Sequence, residues 1–213
     1  MEPRLYKTIF FDWNKTLSYS RFWQQLESPH HPYHERGKEI CKFLFGERRE
    51  LISPWMRGIK STDDILDEIS TSIGISHDFL QKELKQSCEN MSVEPDGVLD
   101  QIQLLRRKGV RCVIATDNMD TFRDYTIPAL KLAELFDDFL ISNELGVLKF
   151  DVDKEKRRIP FFDSYLIKHD LGYEDVVLID DCVDDGFYAE VGFRIMQVRT
   201  PKDLTSYIQE LLM

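Results

Sequence analysis

The apolar run Thr8-Ile9-Phe10-Phe11 closes on Asp12, with Asn14 two residues on and Thr16 two beyond it. A carboxylate at the C-terminal end of a buried strand stands where open α/β sheets carry their chemistry. Such a group can act as a nucleophile, as in aspartyl-phosphate formation. Asn14 has no titratable proton and serves as neither general acid nor general base. Two more apolar runs end in the same manner. Val110-Arg111-Cys112-Val113-Ile114-Ala115 leads to Thr116, Asp117 and Asn118, and Val176-Val177-Leu178-Ile179 leads to Asp180-Asp181, with Asp185 beyond. In a parallel sheet these ends share one edge, so Asp12, Thr116 and Asp180-Asp181 converge. Carboxylates gathered at one point need a cation, and an oxygen-rich site with open positions suits Mg²⁺. The Thr116 hydroxyl would donate to a phosphoryl oxygen, and Lys149, in the loop after Phe139-Leu140-Ile141, would offset charge.

The elements that must position these residues follow from hydrophobic spacing. Residues 5–12 read as a strand. From 18 to 93 the pattern is helical: Trp23, Leu26, Ile40, Phe43, Leu44, Leu51, Ile52, Trp55 and Met56 are spaced as helix faces. Ser61-Thr62-Asp63 and Ser76-His77-Asp78 each open a further helix. After Pro95-Asp96-Gly97 the chain alternates. Helices are expected over 97–108, 120–133, 160–170 and 202–212, with a short one before Gly192 and strands at 110–115, 139–141, 176–179 and 194–198. Alternation of this kind gives an α/β fold with a parallel sheet. The division expected is a core of 1–17 and 94–213 and a helical block of 18–93.

Composition narrows the function classes. Hydrophobic residues make up 42% of the 213, enough for a packed core. The formal net charge of −10 argues against nucleic acid as a partner. The short clusters Arg48-Arg49, Arg106-Arg107-Lys108 and Lys154 to Arg158 read as solvated faces. No run approaches the ~18–20 apolar residues of a membrane span, and the first residues lack signal-peptide order. A cytoplasmic protein is expected, with Cys41, Cys88, Cys112 and Cys182 as reduced thiols. His30, His31 and His34 surround Pro32 without a carboxylate or cysteine at zinc spacing, and read as a surface loop. Trp23 and Trp55 read as core of the helical block. Lys15 and Arg21, close behind Asp12, are candidates for substrate contact. Nothing in the sequence fixes an oligomeric state.

The chain resembles the haloacid dehalogenase (HAD) superfamily over nearly its full length. Four stretches carry the resemblance: Phe11-Asp12-Trp13-Asn14-Lys15-Thr16-Leu17, similar to the family's DxDxT; Val113-Ile114-Ala115-Thr116; Ser142-Asn143-Glu144-Leu145-Gly146-Val147-Leu148-Lys149; and Val177-Leu178-Ile179-Asp180-Asp181 with Asp185. The resemblance implies a three-layer Rossmann-like parallel sheet with an α-helical cap inserted after the first motif. It implies that Asp12 attacks phosphorus, and that Mg²⁺ is held by the Asp12 carboxylate, the main-chain carbonyl of Asn14 and Asp181, with Asp180 and Asp185 acting through water. Thr116 and Lys149 would bind the transferring phosphoryl group, with Asp117 and Asn118 placed to touch substrate or to form a turn. The implied reaction is hydrolysis of a small phosphorylated metabolite.

Two departures stand out. Family phosphatases use the second aspartate of the first motif as the acid that protonates the leaving group and the base that activates water, and Asn14 does neither. That loss is typically worth ~10²–10⁴-fold, so the expectation is a slow or specialised phosphatase. The alternatives are a non-catalytic phosphate-binding or regulatory protein, or a hydrolase of the dehalogenase or phosphonatase kind. Second, Phe150 follows Lys149 where the family usually has proline, and Asp151 to Pro160 reads as an insertion. Lys154 and Lys156 therefore compete with Lys149 for the active-site ammonium; Lys149 fits its context best.

Overall fold

Short runs of aliphatic and aromatic residues, each closed by a polar one, form the sheet. The computed structural model describes residues 6–213. Its strands are β1 (Thr8–Phe11), β2 (Arg111–Thr116), β3 (Asp138–Ile141), β4 (Val176–Asp180) and β5 (Arg194–Gln197). All pair in parallel, in the order β3-β2-β1-β4-β5. The first strand is expected over 5–12; residue 5 lies outside the described residues. Asp12 is one residue past β1, and its N–H still bonds the Ile179 carbonyl at 2.9 Å. The nucleophile candidate is thus anchored to the neighbouring strand.

Alternation along the strands separates two packed faces. Ile9, Phe11, Ile114 and Ile179 face one layer and Phe10, Val113 and Leu178 the other. Between β1 and β2 lie α1 (His34–Lys42), α2 (Ile52–Met56), α3 (Thr62–Ile73), α4 (His77–Glu89) and α5 (Val98–Arg107), with shorter helical turns between them. After β2 come α6 (Ile127–Ala129) and α7 (Leu132–Leu135), after β3 come α8 (Ser142–Leu145) and α9 (Pro160–His169), and α10 (Phe187–Val191) and α11 (Pro201–Leu212) flank β5. Ile102 of α5 and Leu204 and Ile208 of α11 cover the first face. Phe161, Phe162 and Tyr165 of α9 and Tyr188 of α10 cover the second, where Phe10 meets Phe162 at 4.8 Å between ring centres. This is a three-layer α/β sandwich.

Local chemistry sets the helix ends. Ser61 Oγ accepts from Asp64 N at 3.2 Å while the Asp64 carboxylate accepts from Ser61 N at 2.8 Å, a reciprocal cap that starts α3. Ser76 caps α4 in the same sense. The continuous helix expected over 120–133 is broken. Pro128 excludes a regular bond back to the carbonyl of Asp124; a wider turn over Phe122–Thr126 replaces it, with Ile127 N–H bonding the Phe122 carbonyl. Lys131 then takes φ 52°, which separates α6 from α7.

The helical block docks at the sheet's C-terminal edge through α2 and the start of α3. Asp120, just after β2, accepts from Trp55 Nε1 at 3.1 Å, from the Thr62 hydroxyl, and from Thr62 N at 2.9 Å. The last contact sets a carboxylate at the N-terminus of α3, where the helix dipole favours it. Gly58, at φ +66°, allows a second approach: a Cβ there would lie 2.4 Å from the Asn143 carbonyl oxygen. Among the described residues no helix is long and apolar enough to cross a membrane. Asp120→Ala takes the acceptor away from the Thr62 hydroxyl and N–H, while Trp55 Nε1 keeps Thr62 Oγ1 at 3.1 Å, and is expected to lower the unfolding free energy by about 1–3 kcal/mol in urea titration. A loss below about 0.5 kcal/mol would mean that Asp120 does not hold the docked helices.

Candidate active site

The strand order turns at β1. The chain runs β1, β2, β3 to one side and places β4 and β5 on the other. The crevice outside the C-terminal strand ends at such a reversal is where α/β sheets bind ligands. Here it carries Asp12 after β1, Thr116 at the end of β2 and Asp180 at the end of β4. Asp12 and Asp180 are 3% and 1% exposed.

Lys149 reaches between the two carboxylates. Its Nζ donates to Asp12 Oδ1 and to Asp180 Oδ2, both at 2.5 Å, and the lysine is itself only 3% exposed. Burial opposes the ammonium charge, but Asp12, Asp180 and Asp117 outweigh it and raise the Lys149 pKa. Burial also pushes Asp12 up; Lys149 pulls it part-way back and Asp180 raises it again, to about 7. Asp181, half-buried, is raised by burial and by Asp180. Asp12, Asp180 and Asp181 thus face a single buried ammonium, and the pocket is short of positive charge.

Several groups fix the loop that presents Lys149. Asp117 Oδ1 accepts from Lys149 N at 2.9 Å, and Tyr188 OH donates to the Lys149 carbonyl at 2.5 Å. Asp151 accepts from Leu148 N at 2.9 Å and takes a two-pronged pair from the Arg57 guanidinium, one arm at 2.8 Å. Ser142 ties this side to β2: its Oγ accepts from Asn118 N at 2.9 Å and donates to the Asn118 carbonyl at 3.1 Å. The Thr116 hydroxyl oxygen is buried without a partner. An unpaired buried hydroxyl costs free energy, and at this edge a ligand oxygen would relieve it. Between the sheet edge and the docked helices lies a cavity of about 800 Å³, reached by Asn14 and Lys15 behind Asp12 and by Asp117 beside Thr116.

No family model matches the sequence, and no curated protein matches it. Solved structures do. A predicted HAD-like family hydrolase from Porphyromonas gingivalis superposes with a TM-score of 0.70 at 18% identity, over 98% of each chain. The fold is that of the haloacid dehalogenase superfamily. An HAD family enzyme from Bacteroides thetaiotaomicron, in complex with magnesium and inorganic phosphate, gives 0.64 at 14% identity over 91% of this chain and 94% of that one. The L-2-haloacid dehalogenase of Xanthobacter autotrophicus with chloropropionic acid covalently bound gives 0.61 at 15% identity, over 91% and 78%.

On this HAD fold the residues singled out in the sequence fall into two groups. Asp12, Thr116, Lys149, Asp180 and Asp181 meet at the sheet edge. Asp185 does not join them: it is exposed and pairs with Lys154 at 2.9 Å. Lys156 is exposed beside Asp153, so Lys149 is the lysine that reaches the buried carboxylates. Asp153 and Arg158 exchange backbone bonds that fold the inserted segment into a small outward hairpin. Asp117 is occupied with Lys149 N, and Asn118 turns its Oδ1 to Met119 N at 3.0 Å, so the two shape the loop. Asn14 is exposed and lines the cavity. Trp23 and Trp55 are fully buried, Trp23 Nε1 donating to the Leu80 carbonyl, which fits their reading as core. His34 Nδ1 meets the Leu26 carbonyl at 2.9 Å. Ser142 opens the third stretch of the resemblance, whereas Tyr188, Arg57 and the Arg57–Asp151 pair gave no sequence signal, because their partners lie far along the chain.

The donor set fits a divalent cation. The ligand atoms of Asp180, Asp181 and Cys182 lie within 4.8 Å of one another, and Asp12 joins Asp180 through Lys149. Hard oxygen donors of this kind suit Mg²⁺; the Cys182 thiol, raised to about 11 by burial and Asp181, is a poor ligand for it. Asp12 has a folded pKa near 7 against an ordinary 3.8, so it holds its proton more tightly when folded. Its contribution to stability is complete below about pH 4 and is lost as pH rises through 7. A cation displaces that proton. Millimolar Mg²⁺ is therefore expected to raise the melting temperature more at pH 8 than at pH 5, with the difference abolished in Asp12→Asn. Equal shifts at both pH values would contradict this charge balance.

Proposed function

We propose that the protein is a Mg²⁺-dependent phosphohydrolase of the HAD type, acting in the cytoplasm on a small phosphorylated metabolite through an aspartyl-phosphate at Asp12. The observation that carries this reading is the buried set of Asp12, Lys149 and Asp180 beside the unpaired Thr116 hydroxyl, next to a cavity lined by Asn14, Lys15 and Asp117. The magnesium and inorganic phosphate in the Bacteroides thetaiotaomicron relative support it, and the helical block of 18–93 would act as the cap.

Each side chain then has a task. Asp12 presents an oxygen to phosphorus while Asp180 shares Lys149 with it, which keeps the nucleophile oriented. The ammonium and the Thr116 hydroxyl would hold phosphoryl oxygens and stabilise charge as the ester bond breaks. Asp12 and Asp181 would hold Mg²⁺ with the main-chain carbonyl of Asn14; the metal supplies charge neutralisation at the phosphoryl group. The Asp12–phosphorus bond forms as the phosphorus–oxygen ester bond breaks, and the electron pair leaves on the ester oxygen. Asn14 gives that oxygen no proton and later gives water no base. The carboxylates at 180 and 181 favour this reading over a metal-free dehalogenase.

The test is turnover of an aryl phosphate with and without Mg²⁺. The wild-type protein is expected to release about one equivalent of phenol per chain in a burst, then turn over slowly, because no base activates water at the phospho-enzyme. Asp12→Ala removes both phases. Asn14→Asp raises turnover of an alkyl phosphate by about 10²–10⁴-fold and accelerates release of a good leaving group much less. Mg²⁺ binding without turnover in the wild type, with turnover in Asn14→Asp, would assign the protein to the phosphate-binding reading instead.

A further inference from the structure

The cavity next to the buried carboxylates has a wall of a different character from theirs. Phe22, Phe45, Ile52, Met56, Met91 and Met119 supply that wall. Several of its polar groups already have partners. Arg21 Nη2 pairs with Glu27 at 2.5 Å, Ser18 Oγ accepts from Ser20 N at 3.3 Å, and Ser20 Oγ accepts from Ser92 N at 3.0 Å. Asp117 is held by Lys149 N. Asn14, Lys15 and Tyr19, which line the cavity outside these pairs, stand on the stretch just after Asp12, with Lys15 Nζ 3.9 Å from Asp181. A polyhydroxylated body placed against the wall of Phe22, Phe45, Ile52, Met56, Met91 and Met119 would lose its water there and meet carbon, which is costly. An apolar body would gain by burial, and about 800 Å³ suits a ligand-sized guest.

A second observation concerns the leaving oxygen. Asn14 lines the same cavity and cannot donate a titratable proton to it. An alkoxide is a poor leaving group, since its conjugate acid ionises near the ~15.7 of water. A phenol ionises near ~10, so its oxygen can depart as the anion and take its proton from solvent.

Resting on the phosphohydrolase reading, we infer that the substrate is a phosphate monoester of an apolar, ring-sized body whose ester oxygen is phenolic or enolic. The Asp12 oxygen bonds to phosphorus, the phosphorus–oxygen ester bond breaks, and its electron pair leaves on an oxygen that needs no acid. Sugar phosphates and phosphorylated amino alcohols fail on both counts, body and leaving group.

Four compounds separate body from leaving group: 2-naphthyl phosphate, 2-naphthylmethyl phosphate, acetyl phosphate and glucose 6-phosphate, each assayed with Mg²⁺ and against Asp12→Ala. Binding is measured in parallel by calorimetry on Asp12→Ala. The two naphthyl esters should bind within about threefold of each other and at least tenfold more tightly than glucose 6-phosphate. Only 2-naphthyl phosphate should combine that binding with fast release, at least 100-fold faster than its naphthylmethyl analogue. Acetyl phosphate should react with a high KM. Phe45→Asp should raise the KM for 2-naphthyl phosphate about tenfold. Asp12-dependent turnover with glucose 6-phosphate as the better substrate overturns the substrate class and leaves the hydrolase standing. No turnover of any of the four overturns both.

Discussion

A single ammonium, Lys149 Nζ, stands between the carboxylates of Asp12 and Asp180 at 2.5 Å from each, almost wholly buried. Much of the site's geometry depends on this contact. The sheet forces Asp12 and Asp180 together, because β1 and β4 pair in register with Phe11 opposite Ile179. Two buried carboxylates at adjacent strand ends repel and are poorly solvated, and breaking a buried pair by removing one partner leaves a charge uncompensated. The ammonium must therefore be held in place, which explains how much of the surrounding structure serves its loop. Asp117 and Tyr188 grip the backbone of Lys149 itself, and Asp151 grips Leu148. Asp181 has only the exposed Lys15 ammonium, 3.9 Å away, so the edge stays short of positive charge, and a further cation there would relieve that deficit.

The sheet was legible because each strand is an apolar run closed by a polar residue, and a parallel sheet puts those closing residues on one edge. Asp12, Thr116 and Asp180 could be gathered from that rule alone. Helix starts at Ser61 and Ser76 were legible from their caps, which are local chemistry. The parts that sequence did not reveal depend on distant partners or on crowding. The turn at Phe122–Thr126 answers the ring of Pro128 within a stretch whose apolar spacing still looks helical. Tyr188 meets Lys149 across 39 residues and Arg57 meets Asp151 across 94, and neither pairing has a local signature. Asp185 follows the acidic pair at a suggestive spacing, yet the loop after β4 turns it outward to Lys154.

Besides the Asp120 contacts, two attachments of the helical insertion to the core bracket the site. Where the chain enters and leaves the insertion, Glu94 N bonds the Leu17 carbonyl at 2.9 Å and Ser92 meets Ser20, so both crossings lie side by side. At the other place Arg57 holds Asp151, and Asn143 Nδ2 donates to the Trp55 carbonyl at 2.9 Å. Partly exposed ion pairs are worth little on their own. Here the pair gains weight from geometry, because it is two-pronged and because Gly58 lets the backbones approach beside it. Asp151 accepts from Arg57 of the insertion and from Leu148, the residue before Lys149. The cavity wall and the support of the ammonium are therefore one connected network. A shift of the insertion that widened the cavity on this side would part Arg57 from Asp151 and loosen the loop that holds Lys149 against Asp12. The walls that shape the apolar space are thus mechanically continuous with the charge that holds the Asp12 carboxylate.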